Sequence, residues 1–179
     1  MKRHLLKLAV FFGVLALAVQ AQALLISPGG ADDFGNQTSQ DDINDYLAAN
    51  YPGLDELYKQ NVGEGGDSGS LAGSYETTFL NDPTDPSGAL IEYVSGPIAE
   101  DAFLLVKDGN QSPAWYLFDL SGWDGTETLE LSGFWPDQGS ISHVTLYGGT
   151  TTVPEPGTLL LLGSGLFGLA LYGRKSVKR

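Results

Sequence analysis

The sequence predicts a mainly β protein: an antiparallel β-sandwich-like ectodomain with a short N-terminal helical segment, followed by a single C-terminal transmembrane helix. Three observations predict it. From Leu71 onward, six short runs rich in β-branched and aromatic residues alternate with clusters of Gly, Pro, Asn and Asp. Before them, only the stretch after Ser39 carries apolar residues at helical spacing. After them, residues 158–172 (TLLLLGSGLFGLALY) form an apolar run without a charge.

Taken in chain order, the first element is a secretory signal over residues 1–23. Residues 1–7 are basic, residues 8–19 are apolar, and Ala21-Gln22-Ala23 has the small-x-small form of a cleavage site. The expected partners are therefore the Sec translocon and signal peptidase, with cleavage after Ala23 and a mature chain starting at Leu24. An apolar stretch of this length falls short of the roughly 20 residues that a spanning helix needs, although an uncleaved N-terminal anchor is the alternative.

The helical segment opens with Ser39-Gln40-Asp41-Asp42, an S-x-x-D start, and continues through Ile43, Tyr46 and Leu47. Pro52-Gly53 should end it, and residues 54–59 are expected to add a further turn or two of helix. The Gly-dense segment 63–70 reads as a flexible loop, because ordering many glycines costs backbone entropy. Strands are expected at 74–80, 89–95, 102–107, 114–120, 126–131 and 140–147. Lys107-Asp108-Gly109-Asn110 suits a tight type I′ hairpin turn. Alternation places Tyr116, Phe118 and Leu120 on one face, with Trp115, Leu117 and Asp119 on the other. It likewise sets Leu129 and Leu131 opposite Thr128 and Glu130. Six strands with no helices between them argue for a sandwich or barrel.

Charge narrows the function further. The chain has a formal charge of −13, but Lys59 and Lys107 are the only basic residues from 24 to 153, against 21 of the 22 acids, giving that stretch −19. Nucleic-acid binding, which neutralises phosphates with Lys and Arg, is not expected of it. With no cysteine, disulfides and thiolate metal sites are excluded as well.

At the C-terminal end, Val153-Pro154-Glu155-Pro156-Gly157 precedes the apolar run, and residues 174–179 (RKSVKR) are basic. The two prolines and their neighbours cannot continue a helix. Fifteen helical residues reach about 22 Å, so a span needs snorkelling by Arg174 and Lys175 or local thinning of the bilayer. The basic tail favours a membrane stop with its end in the cytoplasm over a buried core helix. The expected organisation is a signal peptide at 1–23, an acidic β-rich ectodomain at 24–153, and a C-terminal signal at 154–179.

Signal peptide, Val-Pro-Glu-Pro-Gly, Leu/Gly-rich span and basic tail, in that order, resemble the PEP-CTERM sorting signal of exosortase substrates. The resemblance implies that Pro154, Glu155 and Pro156 are the recognition motif, 158–172 a transient inner-membrane anchor, and 174–179 a stop-transfer tail. It also implies an exosortase as partner and delivery to the cell surface or extracellular matrix of a Gram-negative bacterium, with exopolysaccharide or biofilm association. The block from Phe103 to Val144 resembles an ectodomain that recurs among PEP-CTERM proteins, which implies architecture and no activity.

Catalytic chemistry finds little to stand on. The mature chain has one histidine, His143, expected mid-strand beside Ile141, Thr145 and Tyr147 as a satisfied structural residue, and no cysteine nucleophile. No catalytic residue is assigned, and the protein is not expected to be an enzyme. Hard oxygen ligands on the loops 81–85 and 124–127 allow calcium, against the alternative of acidic turns that stay solvated; no metal ligand is assigned. Trp115, Trp123 and Trp135 lie near turns and are candidate sugar contacts, the alternative being core packing. The expected function is thus a non-enzymatic, exosortase-sorted surface or matrix protein. The alternative is a secreted carbohydrate- or calcium-binding module.

Overall fold

Alternating apolar residues in short strands are buried by packing the sheet's apolar face against another layer, and here the main layer is a second sheet. The computed structural model describes residues 23–152 except Glu64, Pro83, Gly109, Asp137 and Gln138. The expected signal sequence up to Gln22, the motif Pro154, Glu155 and Pro156, the expected transmembrane helix 158–172 and the basic tail lie outside the described residues. Among the described residues, no helix is long and apolar enough to cross a membrane.

The elements are β1 (Ala23–Ile26), β2 (Asp33–Gly35), α1 (Gln40–Asn50), β3 (Asp55–Asn61), β4 (Tyr75–Leu80), β5 (Gly88–Tyr93), β6 (Pro97–Lys107), β7 (Trp115–Asp119), β8 (Thr128–Leu131) and β9 (His143–Thr152). One sheet has the order β1-β8-β5-β4 and the other β2-β7-β6-β9-β3. All pairings are antiparallel except that of β1 with β8. The expected mainly β, antiparallel-rich architecture with one short helix is therefore present.

Between the sheets lies the larger core, in which Ile91, Leu129 and Leu131 of the first sheet join Leu104, Val106, Phe118 and Leu146 of the second. A second core lies on the far side of the five-stranded sheet, where Ile43 and Leu47 of α1 cover Leu105, Trp115, Leu117 and Tyr147. Strand β7 serves both, with Phe118 in the first core and Trp115 and Leu117 in the second, as its alternation requires. Each large apolar side chain so buried is worth roughly 1.5–3 kcal/mol relative to exposure.

Helix α1 starts where its cap predicts. The Asp42 amide donates to Ser39 Oγ at 3.1 Å, and Asp41 and Asp42 occupy the first turn, where the helix dipole favours negative charge. Its far end is tied to the sheet edge by Asp33, whose Oδ2 accepts from Tyr46 at 2.8 Å and Tyr51 at 2.9 Å. Burial first, and then the Asp33 hydrogen bond, push the Tyr51 hydroxyl up to about 12.

Two local expectations are overturned. Residues 54–59 do not extend the helix: Asp55–Asn61 is the edge strand β3, paired with β9 from Asp55↔Gly148 to Asn61↔His143. A bulge between Glu56 and Tyr58 lets the adjacent Leu57 and Tyr58 both be buried, so neither a period of two nor one of 3.6 is visible in the sequence. Asp108-Gly109 does not make a two-residue hairpin either. Lys107 pairs directly with Trp115, leaving residues 108–114 as a longer loop. Its organiser is the Asp108 carboxylate, which accepts from the amides of Asn110 at 2.6 Å and Gln111 at 3.2 Å, and from Ser140 at 2.7 Å. Side-chain capping of this kind competes with tight backbone turns.

The covering of Trp115 makes a testable prediction. Its ring lies against Gly35, its pairing partner on β2, so that a Cβ at position 35 would meet the ring carbons Cζ2 and Cε2. Gly30, by contrast, has nothing within 4 Å of its would-be Cβ. Gly35→Ala should lower unfolding free energy by about 1–3 kcal/mol through overpacking. Gly30→Ala should change it by less than about 0.5 kcal/mol in the same urea titration.

Candidate functional site

The three tryptophans have different fates. Trp115 is fully buried beneath α1, its Nε1 donating to Gln37 Oε1 at 3.0 Å and its ring 5.3 Å from that of Tyr46. Trp135 is only 8% exposed, donates to the Pro113 carbonyl at 2.9 Å, and packs on Tyr116 and Phe134. Neither presents an indole face to solvent, so as candidate sugar contacts both give way to packing. Trp123 is half-buried and borders open space.

Trp123 is held from behind. Its Nε1 donates to the Glu127 carbonyl at 2.8 Å, and its ring lies 5.9 Å from that of Tyr75. Tyr75, itself buried, spans the sandwich: its hydroxyl donates to the Gly125 carbonyl at 2.9 Å and accepts from the Ala99 amide at 2.9 Å. Burial is the main reason that its hydroxyl is pushed up to about 12. The loop 120–123 separates two clefts, both lined by Trp123. One, of about 330 Å³, is lined also by Asp32, Asp119 and Glu127; the other, of about 420 Å³, by Glu100, Asp101 and Asp124. Carboxylates beside an indole can accept hydrogen bonds from hydroxyls while the ring offers an apolar face. Sequence reading singled out Trp123, and Asp124 and Glu127 only as calcium ligands; the six acids come from two strands and two loops brought together only by the fold.

The candidate calcium loops use their carboxylates internally. Asp82 Oδ1 accepts from the Thr84 amide and hydroxyl, both at 2.8 Å. Asp124 Oδ1 accepts from the amides of Thr126 at 2.8 Å and Glu127 at 2.9 Å. These bonds, led by the Thr84 amide and the Thr126 amide respectively, hold both carboxyls below the ordinary aspartate range. Among the described residues, no group of three or more His, Asp or Glu is placed to hold a metal ion.

His143 departs from its expectation in three respects. It begins β9 rather than lying mid-strand, and Ile141 belongs to the inter-sheet core. The imidazole is 7% exposed, yet its Nε2 has no hydrogen-bond partner among the described residues, and neither has Oγ1 of fully buried Thr145. Burial, then the charges of Lys59 and Lys107, lower the imidazole pKa from 6.5 to about 3. The imidazole therefore stays neutral in the fold, while in the unfolded chain it takes up a proton below about pH 6.5. Stability should accordingly fall as pH drops from 7.5 to 4.5, by about 2–3 kcal/mol, above the range in which carboxylates dominate. The check is chemical denaturation across that range for the wild type and His143→Gln, in which this share of the slope should vanish.

The comparisons with known proteins bear on the other end of the chain. Residues 152–175 match the family model described as the PEP-CTERM protein-sorting motif. The match contains Pro154, Glu155 and Pro156 and begins at the last residue of β9. No curated protein and no solved structure matches the chain. The chain thus carries a PEP-CTERM protein-sorting motif immediately after its β domain, which marks it as an exported protein sorted through an exosortase.

Proposed function

We propose that this chain is a non-enzymatic structural or binding protein of the cell surface or extracellular matrix, associated with exopolysaccharide, whose β-sandwich is the cargo of its C-terminal signal. The match over residues 152–175 carries this reading. Its position supports it: β9 ends at Thr152, so the motif follows the folded domain with only Val153 between strand and first proline. In this reading Ala21 and Ala23 direct signal-peptide removal, residues 158–172 hold the chain in the inner membrane, and the exosortase acts near Pro154, Glu155 and Pro156. Burial of His143, the one histidine of the domain, supports a non-catalytic role, since a general base has to reach its substrate.

Replacing Pro154 and Pro156 by Ala should let helix extend upward from the membrane span and enclose the scissile backbone in hydrogen bonds. Glu155→Ala removes the one charge between Asp137 and Arg174. Both variants should still be exported but accumulate uncut in the inner membrane, as read by fractionation and intact-mass spectrometry. Normal trimming of the triple variant would reduce the motif to a passive linker.

A second reading, favoured by the accessible Trp123, makes the domain a glycan-binding module. Trp123 would stack on a pyranose while the flanking carboxylates accept from its hydroxyls. With six acids and no lysine lining the two clefts, a neutral glycan fits and a uronic-acid polymer is repelled. Trp123→Ala should weaken retention on a neutral polysaccharide in affinity electrophoresis by at least tenfold, about 1.4 kcal/mol. Trp135→Phe, in the core, should leave retention unchanged.

A further inference from the structure

The domain from 24 to 153 contains 21 carboxylates and two lysines, and both lysines come to one place. In the register of the five-stranded sheet, Lys107 on β6 is paired with His143 on β9. Two residues along β9, Thr145 is paired with Lys59 on β3. Directly paired residues bring their Cβ atoms to roughly 5 Å of each other, and i, i+2 residues share a face. Thr145 is also paired with Leu105, which lies in the core under α1, so the four side chains occupy the face that α1 and its approach cover.

Both ammonium groups are bonded to neutral oxygens among the described residues. Lys59 Nζ donates to Gln40 Oε1 at 3.0 Å, and Lys107 Nζ donates to the Asp108 carbonyl at 3.0 Å. The nearby Asp108 carboxylate is turned to its own loop, accepting the amides of Asn110, Gln111 and Ser140. Lysine 107 is only 7% exposed; the charge of buried Asp108 acts on it, but among the described residues no carboxylate oxygen is bonded to its ammonium. Between the two lysines lie the unpartnered Nε2 of His143 and Oγ1 of Thr145, each over nine-tenths buried. Two unmet polar atoms cost on the order of 1–3 kcal/mol each unless something satisfies them.

From this juxtaposition we infer that Lys59, Lys107, His143 and Thr145 form a binding site for one small anion, a carboxylate or an inorganic oxyanion. Two ammoniums supply the charge, the Thr145 hydroxyl donates to the anion, and neutral His143 donates from Nε2–H in the tautomer that carries its proton there. Half-buried Lys59, next to exposed Asn61, gives the site its open side. Full burial of Thr145 limits the occupant to a few heavy atoms and excludes a polymer. The same anion would neutralise the cations that press His143 toward its neutral form.

The test is titration of the full-length chain in detergent micelles with inorganic phosphate and with acetate, at pH 6 and constant ionic strength. The signals of isotope-labelled histidine report on His143. Saturable change of the His143 signals at millimolar concentration or below is expected with at least one probe. Lys59→Gln should weaken that response more than tenfold. Thr145→Val, which keeps the shape of the side chain, tests the hydroxyl in the same way if the lysine variant does not fold. A response to neither probe, or an unchanged response in the variants that fold, overturns the site and leaves a buried water as the partner of the two orphan atoms.

Discussion

The structure depends on how a chain with almost no cations holds its carboxylates. Ion pairs are scarce when two lysines face 21 acids between residues 24 and 153, so backbone amides and phenols do that work. Asp32 accepts from the Asp119 amide, Asp119 from Ser121, Asp82 from Thr84, Asp124 from Thr126 and Glu127, and Asp108 from three separate amides. Charge-assisted bonds of this type are stronger than neutral ones, and each fixes a turn. Asp33 goes further, joining the edge strand β2 to two tyrosines of the helical segment. The acidic composition thus builds the connections of the fold while keeping the surface of copies mutually repulsive.

Covering both faces of the five-stranded sheet has a functional consequence. It consumes most aromatic residues in packing: Trp115, Phe118 and Phe134 are buried, and Trp135 nearly so. Of the three tryptophans only Trp123 keeps part of its surface open, where Tyr75 braces the loop from within, and Phe34 of β2 is exposed as well. Strand β6 connects this region with the rest. Its first residues, Ile98 and Ala99, line a Trp123 cleft and pair with Thr151 and Thr150 at the end of β9, while its last, Lys107, pairs with His143 at the beginning. The Trp123 clefts therefore lie at the end of the sandwich where β9 finishes, and the cationic cluster at the other.

Some of this was legible in the sequence and some was not. Alternation in Trp115–Asp119 placed every side chain on its correct face, because β7 is regular and its neighbours on both sides are apolar. The Ser39 cap was legible because capping is a local bond between residues three apart. The edge strands β1, β2 and β3 were not. Ala23–Ile26 and Asp33–Gly35 are too short to show a period, and β3 hides its own behind a bulge. The acids around Trp123 are scattered from Asp32 to Glu127, and no spacing rule could have gathered them.

By itself the sequence determined where the protein goes. A sorting signal is read as a linear segment, so its order of motif, apolar run and basic tail carries the information without any fold, and residues 152–175 match on that ground. It also determined the β class, since that follows from composition and period. Only the tertiary structure decided which tryptophan meets solvent, that residues 55–61 form a strand, and that the two lysines converge on one histidine. The physical reason is the same for all three: burial and strand pairing act between residues distant in the chain, and local preference yields to them.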